Sequence, residues 1–157
     1  MSRLPRWVLA ALVAAALIAQ VARARDLLRA QQILRSVEAR SSEIARGETV
    51  DPQVLRAHLR ALEDAERLDP AEVGVPIARG NQYLLLSANE SAIEAYRAAQ
   101  RLERRPETHL NLGEALLQLG RREEALVELG WALRLDPMMG RGRIPSPLRA
   151  EITIRSK

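Results

Sequence analysis

Apolar residues recur at helical spacing along most of the chain, in runs separated by short breaks. In the run after residue 22, Leu27, Leu34, Val37 and Ile44 form the stripe of an amphipathic helix, which Gly47 ends. Five further runs lie at about 52–68, 75–86, 91–102, 107–119 and 122–135. Glycine, proline or an Asp-Pro pair closes most of them. The pattern therefore predicts an all-α chain of helices joined by short loops.

The N-terminal apolar run differs from the others because no polar residue interrupts it from 7 to 19, and it continues past one Gln to residue 22. Arg3 and Arg6 precede it, and Arg23 and Arg25 follow it. Sixteen residues are slightly fewer than the roughly 20 that span a bilayer, but flanking Arg side chains can extend to the headgroups. The pattern predicts a basic tail over 1–6 and a transmembrane signal-anchor over 7–22.

A cleaved signal peptide is the alternative, since Ala22-Arg23-Ala24 fits a small-residue cleavage site. We favour the anchor because cleavage needs an extended chain, and no Pro or Gly interrupts the helical pattern before Gly47. The number of Arg residues on each side of the apolar run slightly favours a cytoplasmic location for the part of the chain that follows the run, which we call the body. However, a short basic start before one apolar segment commonly exports the remainder of the chain. We favour an extracytoplasmic body. Arg supplies 23 of the 24 basic residues, a usage that we attribute to a GC-rich bacterial genome, which places the anchor in a bacterial inner membrane.

The net charge of +4 is unevenly distributed along the chain. Residues 1–25 carry four Arg and no acid, and residues 138–157 carry five basic residues and one acid. The body between them holds 15 basic and 19 acidic residues. Nucleic-acid binders concentrate positive charge on a folded face, so this distribution argues against a nucleic-acid partner.

An internal repeat with a period of 33 residues links the last four runs. The matched positions are Gly80 and Gly113, Tyr83 and Leu116, Ala92 and Ala125, Tyr96 and Leu129, and Ala99 and Ala132. Glycine and alanine allow two helices to approach closely, and the larger side chains fill the remaining space. Such self-similarity is typical of a solenoid built from stacked helix pairs.

Residues 106–137 resemble a tetratricopeptide repeat, whose pattern is W-x2-L-G-x2-Y, then A-x3-F, A and P. In this chain the pattern is matched by His109, Leu112, Gly113, Leu116, Ala125, Leu129, Ala132 and Pro137, with His109 in the Trp position. The resemblance implies a short α-solenoid of antiparallel helix pairs behind the N-terminal transmembrane helix.

The resemblance weakens towards the N-terminus. Over 73–105 the Gly, Tyr and Ala positions match, but Pro76 and Arg79 occupy positions that are normally apolar, and the final proline is displaced to Pro106. Residues 23–70 read as amphipathic helices with a degenerate repeat, in which only the second helix aligns.

Members of this family bind partner segments in a concave groove lined by the first helix of each repeat. The resemblance therefore implies a partner-binding groove at Ile77, Asn81, Leu84, Leu85, Leu110, Asn111, Glu114 and Leu117. The surface is apolar with a few amide and acidic groups, which suits an amphipathic helix or an extended apolar peptide. The alternative is that these leucines pack inside a short solenoid.

No capping helix is evident after Pro137, so the last helix is expected to present an open apolar end face at Trp131 and Leu133. Either a partner covers this face, or the tail folds back over it. The tail over 138–157 is basic and rich in Gly, Pro and Ser, which favours a flexible segment. Polar and apolar residues alternate over 151–155, so a short strand is the alternative for this part of the tail.

The chain offers little catalytic chemistry. It contains no Cys and two His, and it lacks the motifs of metalloproteases, serine hydrolases and phosphate-binding loops. We expect no catalytic residues, no metal, no cofactor and no small-molecule substrate.

The sequence predicts a membrane-tethered scaffold, assembly factor or accessory subunit whose partner is a membrane-associated protein. The alternatives are a cleaved periplasmic or secreted adaptor, and a non-catalytic accessory chain of a membrane enzyme.

Overall fold

The computed structural model describes residues 5–45, 51–139 and 142–155. These ranges contain seven helices and no strand, so the predicted all-α class is confirmed. The helices are α1 (Arg6–Ala45), α2 (Pro52–Leu68), α3 (Gly74–Leu85), α4 (Asn89–Leu102), α5 (Pro106–Gln118), α6 (Arg122–Leu135) and α7 (Ser146–Arg155). Arg3 of the basic tail and Gly47, the predicted end of the first helix, lie outside the described residues.

The first helix combines the apolar N-terminal run and the following amphipathic stripe in 40 continuous residues. The apolar window in its first half contains no buried residue and has a mean hydropathy of 1.9. This half is long and apolar enough to cross a membrane, and a signal sequence would have the same properties. The second half packs against the body, where Ala30, Leu34 and Val37 join a cluster with Leu62 and Val75.

The second helix begins at a conventional cap. Asp51 accepts a hydrogen bond from the Gln53 amide at 2.8 Å, and Pro52 occupies the first turn, where a missing amide proton costs nothing. At its other end, the Arg23 guanidinium donates to the Leu68 carbonyl at 2.7 Å and lies 3.7 Å from Asp69. Thus α2 runs back along α1 and ends near the exposed half of that helix.

Two helix pairs follow, α3 with α4 and α5 with α6, as the repeat predicts. A Cβ atom on Gly80 would lie 2.7 Å from two carbons of the Tyr96 ring, and one on Gly113 would lie 2.7 Å from Leu129 Cγ. Both glycines therefore allow the second helix of a pair to place a large side chain directly on the first.

The helix α7 caps the solenoid, in a part of the tail that the sequence suggested to be irregular. Residues 151–155 are helical, so the short-strand alternative is wrong for this segment. Ile144, Leu148 and Ile152 cover α6 and join Leu126 and Leu129 in a buried cluster. The predicted open apolar end is consequently closed by the chain's own tail.

Candidate partner-binding surface

Polar side chains on the first helices of the two repeats are joined across the predicted groove. The Tyr96 hydroxyl donates to Asn81 Oδ1 at 2.7 Å, and Asn111 Nδ2 donates to the same oxygen at 3.4 Å. Burial, followed by the nearby Glu114 carboxylate, raises the pKa of Tyr96 well above its usual range. The hydroxyl therefore stays protonated and holds Asn81 in a fixed orientation.

Arg143, from the loop before α7, reaches into the same surface. Its Nη2 donates to Asn111 Oδ1 at 2.9 Å and to Glu114 Oε2 at 2.6 Å, and its Nε donates to Glu114 Oε1 at 3.0 Å. This is a two-point guanidinium–carboxylate pair. The C-terminal half of the predicted groove is thus occupied by the tail. Nothing in the local sequence around Arg143 indicated this contact.

Seven of the eight predicted groove residues lie in three environments, and the eighth, Leu110, is buried. Ile77, Leu84 and Leu117 are half-buried and pack against the cluster around Tyr96. Leu85 is 38% exposed. Asn81, Asn111 and Glu114 are partly exposed and form the polar network.

Two predicted site residues need correction. Leu110 is fully buried in the cluster with Ile144, Leu148 and Ile152, so it cannot contact a groove ligand. Leu133 packs partly against the same cluster rather than lying on an open end. Both errors have one cause, which is that α7 covers the end of the solenoid.

Trp131 is 37% exposed and lies on the opposite side of α6 in a polar setting. Its ring stacks on His109 with 6.2 Å between centroids, and the guanidinium groups of Arg134 and Arg104 lie 4.7 and 5.9 Å from its centre. These are cation–π distances, which favour an indole held between two charged side chains.

His109 is nearly buried beneath this tryptophan. Its Nδ1 lies 2.7 Å from Glu128 Oε2, and Gln100 Nε2 donates to the same oxygen at 2.9 Å. Gln100 Nε2 also lies 3.0 Å from Nδ1, so the imidazole, the amide and the carboxylate form one cluster of polar contacts. The position that is Trp in the family pattern is therefore filled by a hydrogen-bonded imidazole. Sequence reasoning missed Gln100 and Glu128 as its partners.

Arg79, which departs from the repeat pattern, also has a partner. Its guanidinium donates to Glu66 on α2 at 2.6 and 3.4 Å. The ion pair ties the weaker repeat to the N-terminal helix pair, which explains a charge in a normally apolar position.

Comparison with known proteins supports this architecture. No family model and no curated protein matches the sequence. Among solved structures, the chain is similar to TTC0263, a thermophilic TPR protein of Thermus thermophilus, with a TM-score of 0.63 and 28% identity. The fold is tetratricopeptide-repeat-like. The match covers 86% of this chain and 66% of that protein's length. Tetratricopeptide-repeat-like folds generally mediate protein–protein interaction.

Proposed function

We propose that the chain is a membrane-tethered, non-catalytic scaffold or accessory subunit that binds a partner protein through the concave surface of α3 and α5. The observation that carries this proposal is the continuity of α1, whose exposed apolar half leads without a break into the half that packs on the repeats. A partner held on the repeats would be confined near the bilayer, which raises its effective concentration there.

The unbroken helix also supports an anchor that is retained. The cleavage pattern at Ala22-Arg23-Ala24 lies in the middle of α1, where the backbone is helical and its amides are already hydrogen-bonded. A protease that binds an extended chain would have to unwind this segment first. Arg23 is further held by the Leu68 carbonyl.

The groove supports a partner segment of mixed character. Its α3 side offers the apolar surface of Ile77, Leu84 and Leu85, whereas its α5 side offers Asn111 and Glu114. The α5 side binds a cationic group, because the guanidinium of Arg143 already donates hydrogen bonds to Asn111 and Glu114. We therefore propose a partner helix with an apolar face and an Arg or Lys that replaces Arg143 on Glu114.

The decisive experiment is affinity purification of the full chain from membranes of its native host in mild detergent. Leu85→Glu places a charge on the groove, and Leu119→Glu is a matched control because Leu119 is 36% exposed, close to the 38% of Leu85, but caps the end of α5 outside the groove. We expect one stoichiometric membrane partner that is lost with Leu85→Glu and retained with Leu119→Glu. Equal loss or retention in both variants would contradict binding at the groove.

The tether has a separate test. Intact mass of the purified chain, combined with alkaline extraction of membranes, reports whether residues before Arg25 are retained and whether the chain stays in the bilayer. A mature N-terminus at Arg25 would replace the anchored scaffold with a processed adaptor.

A further inference from the structure

The alternation of helix directions places one edge of the solenoid on the side of the apolar half of α1. Arg23 meets the end of α2 at Leu68, and Ser41, near the far end of α1, accepts a hydrogen bond from Gln82 near the end of α3 at 2.8 Å. Hence α3 runs parallel to α1, whereas α2 runs back along it. The short loops over 86–88, 103–105 and 119–121 reverse the chain between helices that pack on each other, so α5 runs parallel to α3, and α4 and α6 run parallel to α2. The loops after α2, α4 and α6 therefore share the side from which α1 emerges.

This side, which we call the proximal edge, consists of the ends of α4 and α6 and the residues just beyond them, 101–105 and 134–139. Three apolar side chains are exposed there: Leu102 and Leu135 at 47% and Met138 at 57%. Exposed Arg101, Arg104 and Arg134 lie beside them. The edge also contains two acids, but Glu103 pairs with Arg105 at 2.7 Å, and Asp136 accepts the Met138 amide at 2.8 Å. Exposed apolar side chains next to Arg are the chemistry of a bilayer interface.

The end of α2, on the same side of the solenoid as the proximal edge, lies at the height of a bilayer surface. Leu68 lies in a cleft with Arg29 and Ile33, and Arg29 is about 10 Å along the helix from residue 22, the end of the apolar run, at roughly 1.5 Å per residue. The headgroup layer adds roughly 5–8 Å to the hydrocarbon on each side. The end of α2 is therefore placed just outside the headgroups.

The end of α6 extends further in the same direction. Gln100 of α4 contacts Glu128 of α6, so the two residues are at similar heights. From there α4 continues for two residues to Leu102, whereas α6 continues for seven residues to Leu135. The difference of five residues is about 7 Å, which brings Leu135 and Met138 towards the membrane.

We propose that the proximal edge is a second membrane contact, in which Leu102, Leu135 and Met138 enter the headgroup layer and Arg101, Arg104 and Arg134 bind anionic lipid headgroups. The inference rests on the proposed anchoring by α1. It fixes the orientation of the solenoid, because an anchor at one end and a lipid contact at the other hold the repeats flat along the bilayer with the concave surface open to the side.

The chain's lack of cysteine makes this orientation directly measurable. Single Leu102→Cys, Leu135→Cys and Met138→Cys variants of the full chain are labelled with the polarity-sensitive fluorophore NBD. They are reconstituted in phosphatidylcholine–phosphatidylglycerol vesicles containing headgroup spin-labelled lipid. Leu119→Cys and Ser87→Cys on the opposite edge carry the same label as matched controls, and Ile18→Cys reports insertion of α1.

We expect NBD emission at the three proximal positions to shift to the blue and to be quenched far more than at positions 119 and 87. If Ile18 reports insertion while the proximal probes behave like the controls, the second contact is wrong and the edge is open to a protein partner. If Ile18 itself stays in water, the anchor fails and this proposal fails with it.

A charge series identifies the lipid that is bound. The combined Arg101→Gln, Arg104→Gln and Arg134→Gln variant should lose most of the difference in proximal quenching between anionic vesicles and pure phosphatidylcholine vesicles. Arg56→Gln with Arg60→Gln, on exposed positions of α2, should keep that difference. An unchanged difference in the triple variant would overturn the assignment of these arginines to anionic headgroups.

Discussion

Two small residues decide how closely the helices of each repeat approach. Gly80 faces the Tyr96 ring and Gly113 faces Leu129, and neither position has room for a Cβ atom. Gly130 is also inside a helix, but a Cβ there would lie 3.5 Å from Ile152, an ordinary contact distance. Glycine is therefore required by packing at Gly80 and Gly113 and merely tolerated at Gly130.

We expect Gly80→Ala to destabilise the protein by about 1–3 kcal/mol, because the buried aromatic ring must shift to admit a methyl group. Gly130→Ala should instead stabilise it by about 0.5–1 kcal/mol, since alanine loses less conformational entropy in a helix. Urea unfolding in detergent, followed by circular dichroism, measures both. Equal effects of the two substitutions would show that the contact with Tyr96 does not limit the packing.

The contact of Arg143 with Asn111 and Glu114 differs from the glycine contacts in its exposure to solvent. Both the guanidinium of Arg143 and the carboxylate of Glu114 are partly exposed. Exposed ion pairs contribute little. Arg143→Ala should lower the free energy of unfolding by less than about 1 kcal/mol and strengthen partner binding in affinity purification from native membranes, since the internal competitor for Glu114 is removed. Weaker binding in this variant would mean that the partner contacts Arg143 itself.

At the scale of elements, the solenoid is closed at one end by α1 and α2 and at the other by α7. Repeat arrays expose an apolar face at each end unless a capping element covers it. The tail supplies that cap with few apolar residues, namely Ile144, Leu148 and Ile152. Arg122 adds an ion pair with Glu151 at 2.5 Å.

Loss of one capping side chain should therefore be costly. Ile144→Ala is expected to destabilise the protein by about 2–4 kcal/mol, because Ile144 is buried against α5 and α6. Leu135→Ala, at an exposed position of α6, should change stability by less than about 0.5 kcal/mol. If thermal unfolding does not separate these variants, the tail does not act as a cap.

At the scale of the whole molecule, the proposed function depends on a rigid connection between bilayer and repeats. The helix α1 passes the predicted membrane boundary at Arg23–Arg25 without a break, and its buried contacts begin only at Ala30. In the proposed anchor, this short segment is what would transmit the orientation of the span to the solenoid.

We expect Arg25→Pro to break this connection, because proline removes a helical hydrogen bond and clashes with the preceding turn. The NBD probe at position 102 should lose its quenching while the probe at Ile18 keeps it, and Arg25→Ala should resemble the wild type. Unchanged quenching at position 102 in the proline variant would show that the edge binds lipid without help from a rigid α1.

The sequence alone determined the helices and their pairing in the repeats. Most predicted runs end within two residues of the observed helices, because Asp51, Pro52 and Pro106 act on their own first turns and amphipathic stripes specify which face is buried. The period of 33 residues likewise identified Gly80 and Gly113 as close-contact positions.

Only the tertiary structure decided what covers the solenoid. The sequence around Arg143 contains no signal for its contact with Glu114, 29 residues earlier, and the segment Ser146–Arg155 is too short for a helix to be stable in isolation. Packing against α6 makes it helical, and that packing buries Leu110 and partly covers Leu133. Local patterns determine the elements of this chain, whereas the free energy of burial between distant residues decides which of their surfaces remain open.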